Sequence, residues 1–127
     1  MSTNKKKAVG NIQVGKKVIQ IEAEAVSQLA NRIDEQFDRA VEEIFNCDGR
    51  VIVSGMGKSG LISQKIASTM ASTGTPSHFV HPGDAFHGDL GMITEDGVVL
   101  IISNSGETHE IVQILPVIKK KVGKLLG

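Results

Sequence analysis

Ser103, Ser105 and Thr108 gather in one short stretch around Gly106. They follow the apolar run Val98-Val99-Leu100-Ile101-Ile102 and precede a helical pattern that begins near Glu107. A strand that ends in a hydroxyl-rich loop and opens a helix brings backbone N–H groups and the positive end of a helix dipole to one point. That combination attracts an anion. Gly106 lets the backbone come close to the ligand. The chemistry implied is the holding of a phosphorylated small molecule, a sugar phosphate above all. Glu107 and Glu110 fall in the first turn of the same helix. They either complement its dipole or place a carboxylate beside the substrate as acid or base, and spacing alone does not choose.

A second loop, Gly55 to Gly60, carries Lys58 and Ser59. It is not a P-loop, because the required earlier glycine is replaced by Ile52. Its three glycines do match the dinucleotide fingerprint. That fingerprint also needs an acid at the end of the second strand, and there the chain reads Phe79-Val80-His81, with Asp84 beyond the loop. The remaining readings are a tight loop that lets Lys58 and Ser59 reach an anion, and a structural turn with Lys58 in solvent. A third stretch, 81–91, holds His81, Asp84, His87 and Asp89. A histidine there could move protons near neutral pH. The spacing fits no standard zinc pattern. His78, inside a strand, and His109, inside a helix, read as structural or exposed.

The elements that must position these loops follow from periodicity. Residues 1–10 read as a flexible polar tail. From Ile12 to Phe45 apolar residues recur at helical spacing, with a break near Asn31 to Asp34 where Asp34 could cap a second helix. These helices would pack on a core or on a subunit partner. Asp48-Gly49 marks a turn. Val51-Ile52-Val53, His78-Phe79-Val80 and Val98 to Ile102 read as short buried strands. A helix runs between the first two, ending at Gly74, and another is expected over Glu107–Val122, kinked at Pro116. Lys119, Lys120 and Lys121 suit its C-terminal end. The fold class expected is α/β, a three-layer doubly wound parallel sheet of about three strands, preceded by N-terminal helices. Ligands in such sheets bind at the carboxyl ends of the strands, so both glycine-serine loops face one crevice. Only Lys124-Leu125-Leu126-Gly127 remain after the last helix, so the sheet is expected to stop with an open edge, as in a fragment of a longer protein.

Composition narrows the classes of function. The chain has 127 residues, with fourteen basic and fourteen acidic side chains, so no net field draws it to nucleic acid or anionic membrane. It has no Trp or Tyr and four Phe, which argues against a base-stacking platform. One cysteine, Cys47, forms no internal disulfide. It fits a reducing cytoplasm, as a small apolar residue rather than a nucleophile. No apolar stretch is long enough for a membrane span, and no secretory signal follows the basic first residues.

Five blocks then occur in order: Gly-Met-Gly-Lys-Ser-Gly (55–60), Ala-Ser-Thr-Gly-Thr-Pro (71–76), His-Pro-Gly-Asp (81–84), His-Gly-Asp-Leu-Gly-Met-Ile-Thr (87–94) and Ile-Ser-Asn-Ser-Gly-Glu-Thr (102–108). Together they resemble the sugar isomerase (SIS) domain of bacterial D-arabinose 5-phosphate isomerases, from about Gly15 to Lys120 and in its N-terminal part. The resemblance implies a flavodoxin-like SIS domain over residues 11–127 and interconversion of D-ribulose 5-phosphate and D-arabinose 5-phosphate. That product feeds Kdo for lipopolysaccharide or capsule. It implies that Ser59, Ser103, Ser105 and Thr108 hold the phosphate and that Asn104 binds the substrate. Gly74, Thr75, His81 and His87 would line the pocket, and Lys58, His87 and Glu110 would act in catalysis. It implies no required cofactor, with His81 at a position where zinc can sit as a bound or inhibitory ion. It also implies a cytoplasmic homo-oligomer, a tetramer in the family. Family members continue through further strands and often a pair of CBS modules. The alternative is a SIS fragment that binds sugar phosphate without turnover.

Overall fold

The computed structural model describes residues 10–85, 91, 93–104, 112 and 124–126. Contacts divide the chain into two units, Met1–Asp38 and Arg39–Gly127. In the first, helix α1 (Asn11–Leu29) passes through a 3₁₀ turn (Ala30–Arg32) to the start of helix α2 (Glu35–Phe45). The break falls where Asp34 was expected to cap. Its Oδ1 accepts the Gln36 N–H at 2.9 Å, which satisfies one of the amides a helix leaves without an internal partner. No residue of α1 is buried: Ile12 is 75% exposed and Val18 46%.

The second unit is built on a parallel sheet. Strands β1 (Val51–Gly55) and β3 (Val98–Ile102) form at the short apolar runs, and β2 (Ser77–Phe79) one residue earlier than its run, His78-Phe79-Val80. Helix α3 (Gly57–Ser72) returns from β1 to β2, and a four-residue helix, α4 (Pro82–Ala85), follows β2. The spatial order is β2-β1-β3-β4, the flavodoxin-like doubly wound order, in which the chain reverses direction of travel between β1 and β3. The fourth strand, β4 (Lys124–Leu126), adds to the three that were expected. It pairs in parallel with β3 from Val98↔Lys124 to Leu100↔Leu126, so the edge expected to lie open beside β3 is occupied. A three-residue strand is too short to show a period, which is why the sequence left it as a remainder.

Side chains alternate across this sheet, and both faces are buried. Val51, Val53 and Val98 pack with Ala67 of α3, edged by Ile44, Ile66, Met70 and Phe79. On the opposite face Ile52, Val99 and Ile101 are also buried. Each such side chain contributes about 1.5–3 kcal/mol over exposure. Burial on both faces gives these strands unbroken apolar runs rather than alternation. The helix expected over Glu107–Val122, with Pro116 and the three lysines, lies outside the described residues except for Val112, which is helical and exposed. No described helix is long and apolar enough to cross a membrane.

Candidate functional site

Three glycines set the junction between β1 and α3, each for a separate steric reason. A Cβ on Gly55 would lie 2.9 Å from the Ile102 carbonyl oxygen and 2.8 Å from Ser63 Oγ. A Cβ on Gly60 would lie 2.7 Å from the Gly55 carbonyl oxygen. Gly57 has φ +57, the left-handed conformation that side chains disfavour. Bare backbone at 55 and 60 lets the first turn of α3 sit against the ends of β1 and β3. Ser63, fully buried, locks that turn by donating its hydroxyl to the Ser59 carbonyl at 2.7 Å.

The result is a helix start without a side-chain cap. Met56 occupies the cap position in extended conformation and makes no cap hydrogen bond. The helical ladder begins with the Gly60 N–H donating to the Met56 carbonyl. The N–H groups of Gly57, Lys58 and Ser59 therefore precede the ladder, at the positive end of a sixteen-residue helix. Lys58 is exposed there and Ser59 half-buried. Ser103, half-buried, and Asn104, exposed, leave the carboxyl end of β3 next door, since Gly55 pairs with Ile102. The starts of both loops, as far as the described residues run, thus leave the carboxyl ends of β1 and β3 at the switch point.

On the other side of β1, a double clamp holds the chain that leaves β2. The Val80 N–H donates to the Val53 carbonyl at 3.0 Å, and the buried Ser54 hydroxyl donates to the Val80 carbonyl at 2.5 Å. His81 comes next, half-buried, and caps α4: its Nδ1 accepts the Gly83 N–H at 3.0 Å. Pro82 fills the first helical position, where its missing N–H costs nothing. The stretch 81–91 therefore opens with a short capped helix.

Of the candidate site residues, Lys58, Ser59, His81, Ser103 and Asn104 are brought to one edge of the sheet. Gly74 and Thr75 are not. Helix α3 runs back against the strands, so its end at Gly74 (φ +106) and Thr75 precedes β2 at the amino edge. That is roughly 15 Å, one strand length, from the crevice within the same chain. His87, Ser105, Thr108 and Glu110 lie outside the described residues. Cys47, read as a small apolar residue, packs against the core at the amino edge, with Sγ 3.5 Å from the Asp96 carbonyl. Sequence reasoning missed Ser54, Ser63 and the Gly83 contact. The signal for the serines was a hydroxyl inside a buried run, which must find a partner.

A zinc ion does not fit His81 as the structure holds it. A histidine that ligates metal through one ring nitrogen almost always donates its other N–H to an acceptor. The Nδ1 of His81 instead accepts from a backbone donor. Among the described residues, no three His, Cys, Asp or Glu side chains are grouped to hold an ion.

Known proteins agree with this architecture. A protein named arabinose 5-phosphate isomerase KdsD from Yersinia pestis is 61% identical over 109 residues, 86% of this chain and 33% of its own length. One of the same name from Escherichia coli K12 is 56% identical, over 85% of this chain and 33% of its own. The chain thus spans about a third of the curated relatives it matches. A solved Escherichia coli CFT073 protein in complex with arabinose 5-phosphate superposes with a TM-score of 0.81 at 45% identity, covering 89% of this chain and 62% of that one. The SIS domain profile matches residues 43–127, the greater part of the sequence. On that match and this fold, the chain belongs to the SIS domain family.

Proposed function

We propose that this chain is the N-terminal part of an arabinose 5-phosphate isomerase, interconverting D-ribulose 5-phosphate and D-arabinose 5-phosphate. The observation that carries the reading is the uncapped, glycine-set start of α3, which offers Lys58 and Ser59 beside Ser103 and Asn104 at the switch point. The names of relatives at 56–61% identity, and the arabinose 5-phosphate bound by a structural neighbour, supply the substrate class.

The reaction moves one carbon-bound proton between C1 and C2 through an enediol, while the hydroxyl proton passes between O1 and O2. Glu110 or His87 is assigned the carbon-bound proton, and Lys58 the charge on the enediolate oxygen or the phosphate. Ser59, Ser103, Ser105 and Thr108 are assigned the phosphate, whose binding energy holds C1 and C2 in position, and Asn104 is assigned to substrate binding. No step needs a cofactor. The pathway implied is Kdo supply for lipopolysaccharide or capsule, in the cytoplasm. The exposed apolar side chains of α1 and α2, including Val14, Val18, Phe37 and Val41, support a homo-oligomer of this chain.

The test is an assay of the purified 127-residue chain with ribulose 5-phosphate, detecting arabinose 5-phosphate. Turnover that disappears in Lys58→Ala is the expected result. A folded chain that neither turns over nor binds arabinose 5-phosphate would overturn the reading. Binding without turnover would favour the second reading, a sugar-phosphate-binding SIS module.

A further inference from the structure

We infer that His81 serves the site as a hydrogen-bond donor of fixed polarity, through Nε2–H, and is neither a proton acceptor nor a metal ligand there. The hydrogen bond between Gly83 and His81 has only one possible direction. The Gly83 backbone N–H can only donate, so the His81 Nδ1 that it meets at 3.0 Å must be the unprotonated nitrogen. In the neutral ring the proton then sits on Nε2.

The surroundings hold the ring in that orientation. The residue before it is held by both polar groups of its backbone, through Val53 and the buried Ser54. The residue after it, Pro82, is fully buried with φ fixed by its ring. Gly83 leaves little free space: a Cβ there would stand 3.1 Å from Nδ1 and 3.2 Å from Cε1. Turning the ring to present Nδ1 elsewhere would leave an N–H at the start of α4 without its cap. His81 leaves β2 at the carboxyl edge, beside the β1 loop that carries Lys58 and Ser59. A donor there suits an oxygen of an anionic, hydroxyl-rich ligand. Its identification as a sugar phosphate rests on the function proposed above.

The first experiment is the long-range ¹⁵N–¹H spectrum of the histidine rings in the 127-residue chain, with His81 assigned by the signals lost in His81→Asn. The expected pattern is Nε2 protonated and Nδ1 bare, unchanged by one equivalent of zinc. A proton on Nδ1, or a stoichiometric zinc shift of the His81 nitrogens, would overturn the inference. Two substitutions then separate cap from donor. In His81→Asn the amide oxygen can replace Nδ1 as the cap, while nothing replaces Nε2–H. This variant should melt like the wild type and bind arabinose 5-phosphate about tenfold more weakly, the worth of one good hydrogen bond. In His81→Gln the amide NH₂ reaches the Nε2 position and the cap is lost, so it should melt lower yet bind better than the asparagine variant. Wild-type affinity in His81→Asn would sink the donor role. If the wild type binds no arabinose 5-phosphate, the sugar phosphate reading fails and takes the acceptor's identity with it. The ring polarity and the exclusion of metal are decided by the spectrum alone.

Discussion

The two edges of this sheet use glycine for opposite ends. At the carboxyl edge, Gly55, Gly57 and Gly60 bring backbone against backbone so that a helix starts without a cap and points its amides outward. Among the described residues, the candidate side chains gathered there are Lys58, Ser59, His81, Ser103 and Asn104. At the amino edge, Gly49 and Gly97 close turns instead. The Gly49 N–H donates to the Asp96 carbonyl at 3.1 Å, and a Cβ on Gly97 would stand 2.8 Å from the Arg50 carbonyl oxygen. A cleft of about 170 Å³ at that edge is lined by Glu43, Asp48, Glu95 and Asp96. Its acidic groups repel what the other edge attracts. Glycine content alone therefore does not mark a ligand loop. What marks it is whether the close approach leaves donors facing outward.

The largest effect should come from adding one methyl at each edge. In Gly60→Ala the new Cβ meets a backbone oxygen at 2.7 Å, which moves only if α3 moves. We expect a loss of about 1–3 kcal/mol in stability, the usual cost of overpacking, and no measurable binding of arabinose 5-phosphate. In Gly49→Ala the nearest atom, also at 2.7 Å, is the Asp96 carboxylate oxygen on a side chain that can rotate away, which leaves the Asp96 backbone carbon at 3.0 Å to shift by a few tenths of an ångström. That variant should lose about 1 kcal/mol and bind the ligand normally. Calorimetry and a binding titration on the pair check both statements. Equal loss of binding in the two variants would break the distinction between the edges.

A second test changes charge and leaves packing alone. Lys58→Ala should leave the melting temperature within error and weaken arabinose 5-phosphate binding by about tenfold or more, as expected for a charge-assisted contact. Lys65→Ala, an exposed lysine farther along α3, should change neither. Titrations at two salt concentrations sharpen the result, because a lysine that meets the phosphate should account for part of the salt dependence. Equal effects at the two positions would mean that α3 attracts the ligand by diffuse charge and has no built site.

Sequence reading reached the parts of this fold whose physics is local. Val51–Gly55 and Val98–Ile102 announced themselves because burial on both faces demands unbroken apolar runs. Asp34 announced a helix start because few residue types make that bond. The Gly55–Gly60 loop was legible because a close backbone approach admits no other residue at 55 and 60. What stayed hidden depends on partners distant in sequence. β4 exists as a strand because β3 pairs with it, and Lys124-Leu125-Leu126 carries no pattern of its own. Gly74 and Thr75 sat in one of the matched blocks, yet the return of α3 carries them to the far edge. Topology, available once strands and helices had been assigned, already implied that separation. The polarity of His81 was out of reach, since it depends on which atom faces Gly83 N–H.

The smallest effect concerns Cys47, which tests the amino edge on its own terms. Its thiol lies 3.7 Å from the Arg50 carbonyl and 3.5 Å from the Asp96 carbonyl, joining the end of the Asp48-Gly49 turn to the turn before β3. It also packs against the core beneath β1. A thiol is a weak donor, so its removal should cost mainly packing. Cys47→Ala should then lower stability by about 1 kcal/mol or less. Affinity for arabinose 5-phosphate and any turnover should match the wild type, because the thiol sits a full strand length from the Lys58 loop. The measurement is a denaturant titration beside a binding isotherm on the same sample. A Cys47→Ala variant of normal stability that had lost turnover would place chemistry at the acidic edge and invert the assignment of roles between the two ends of the sheet.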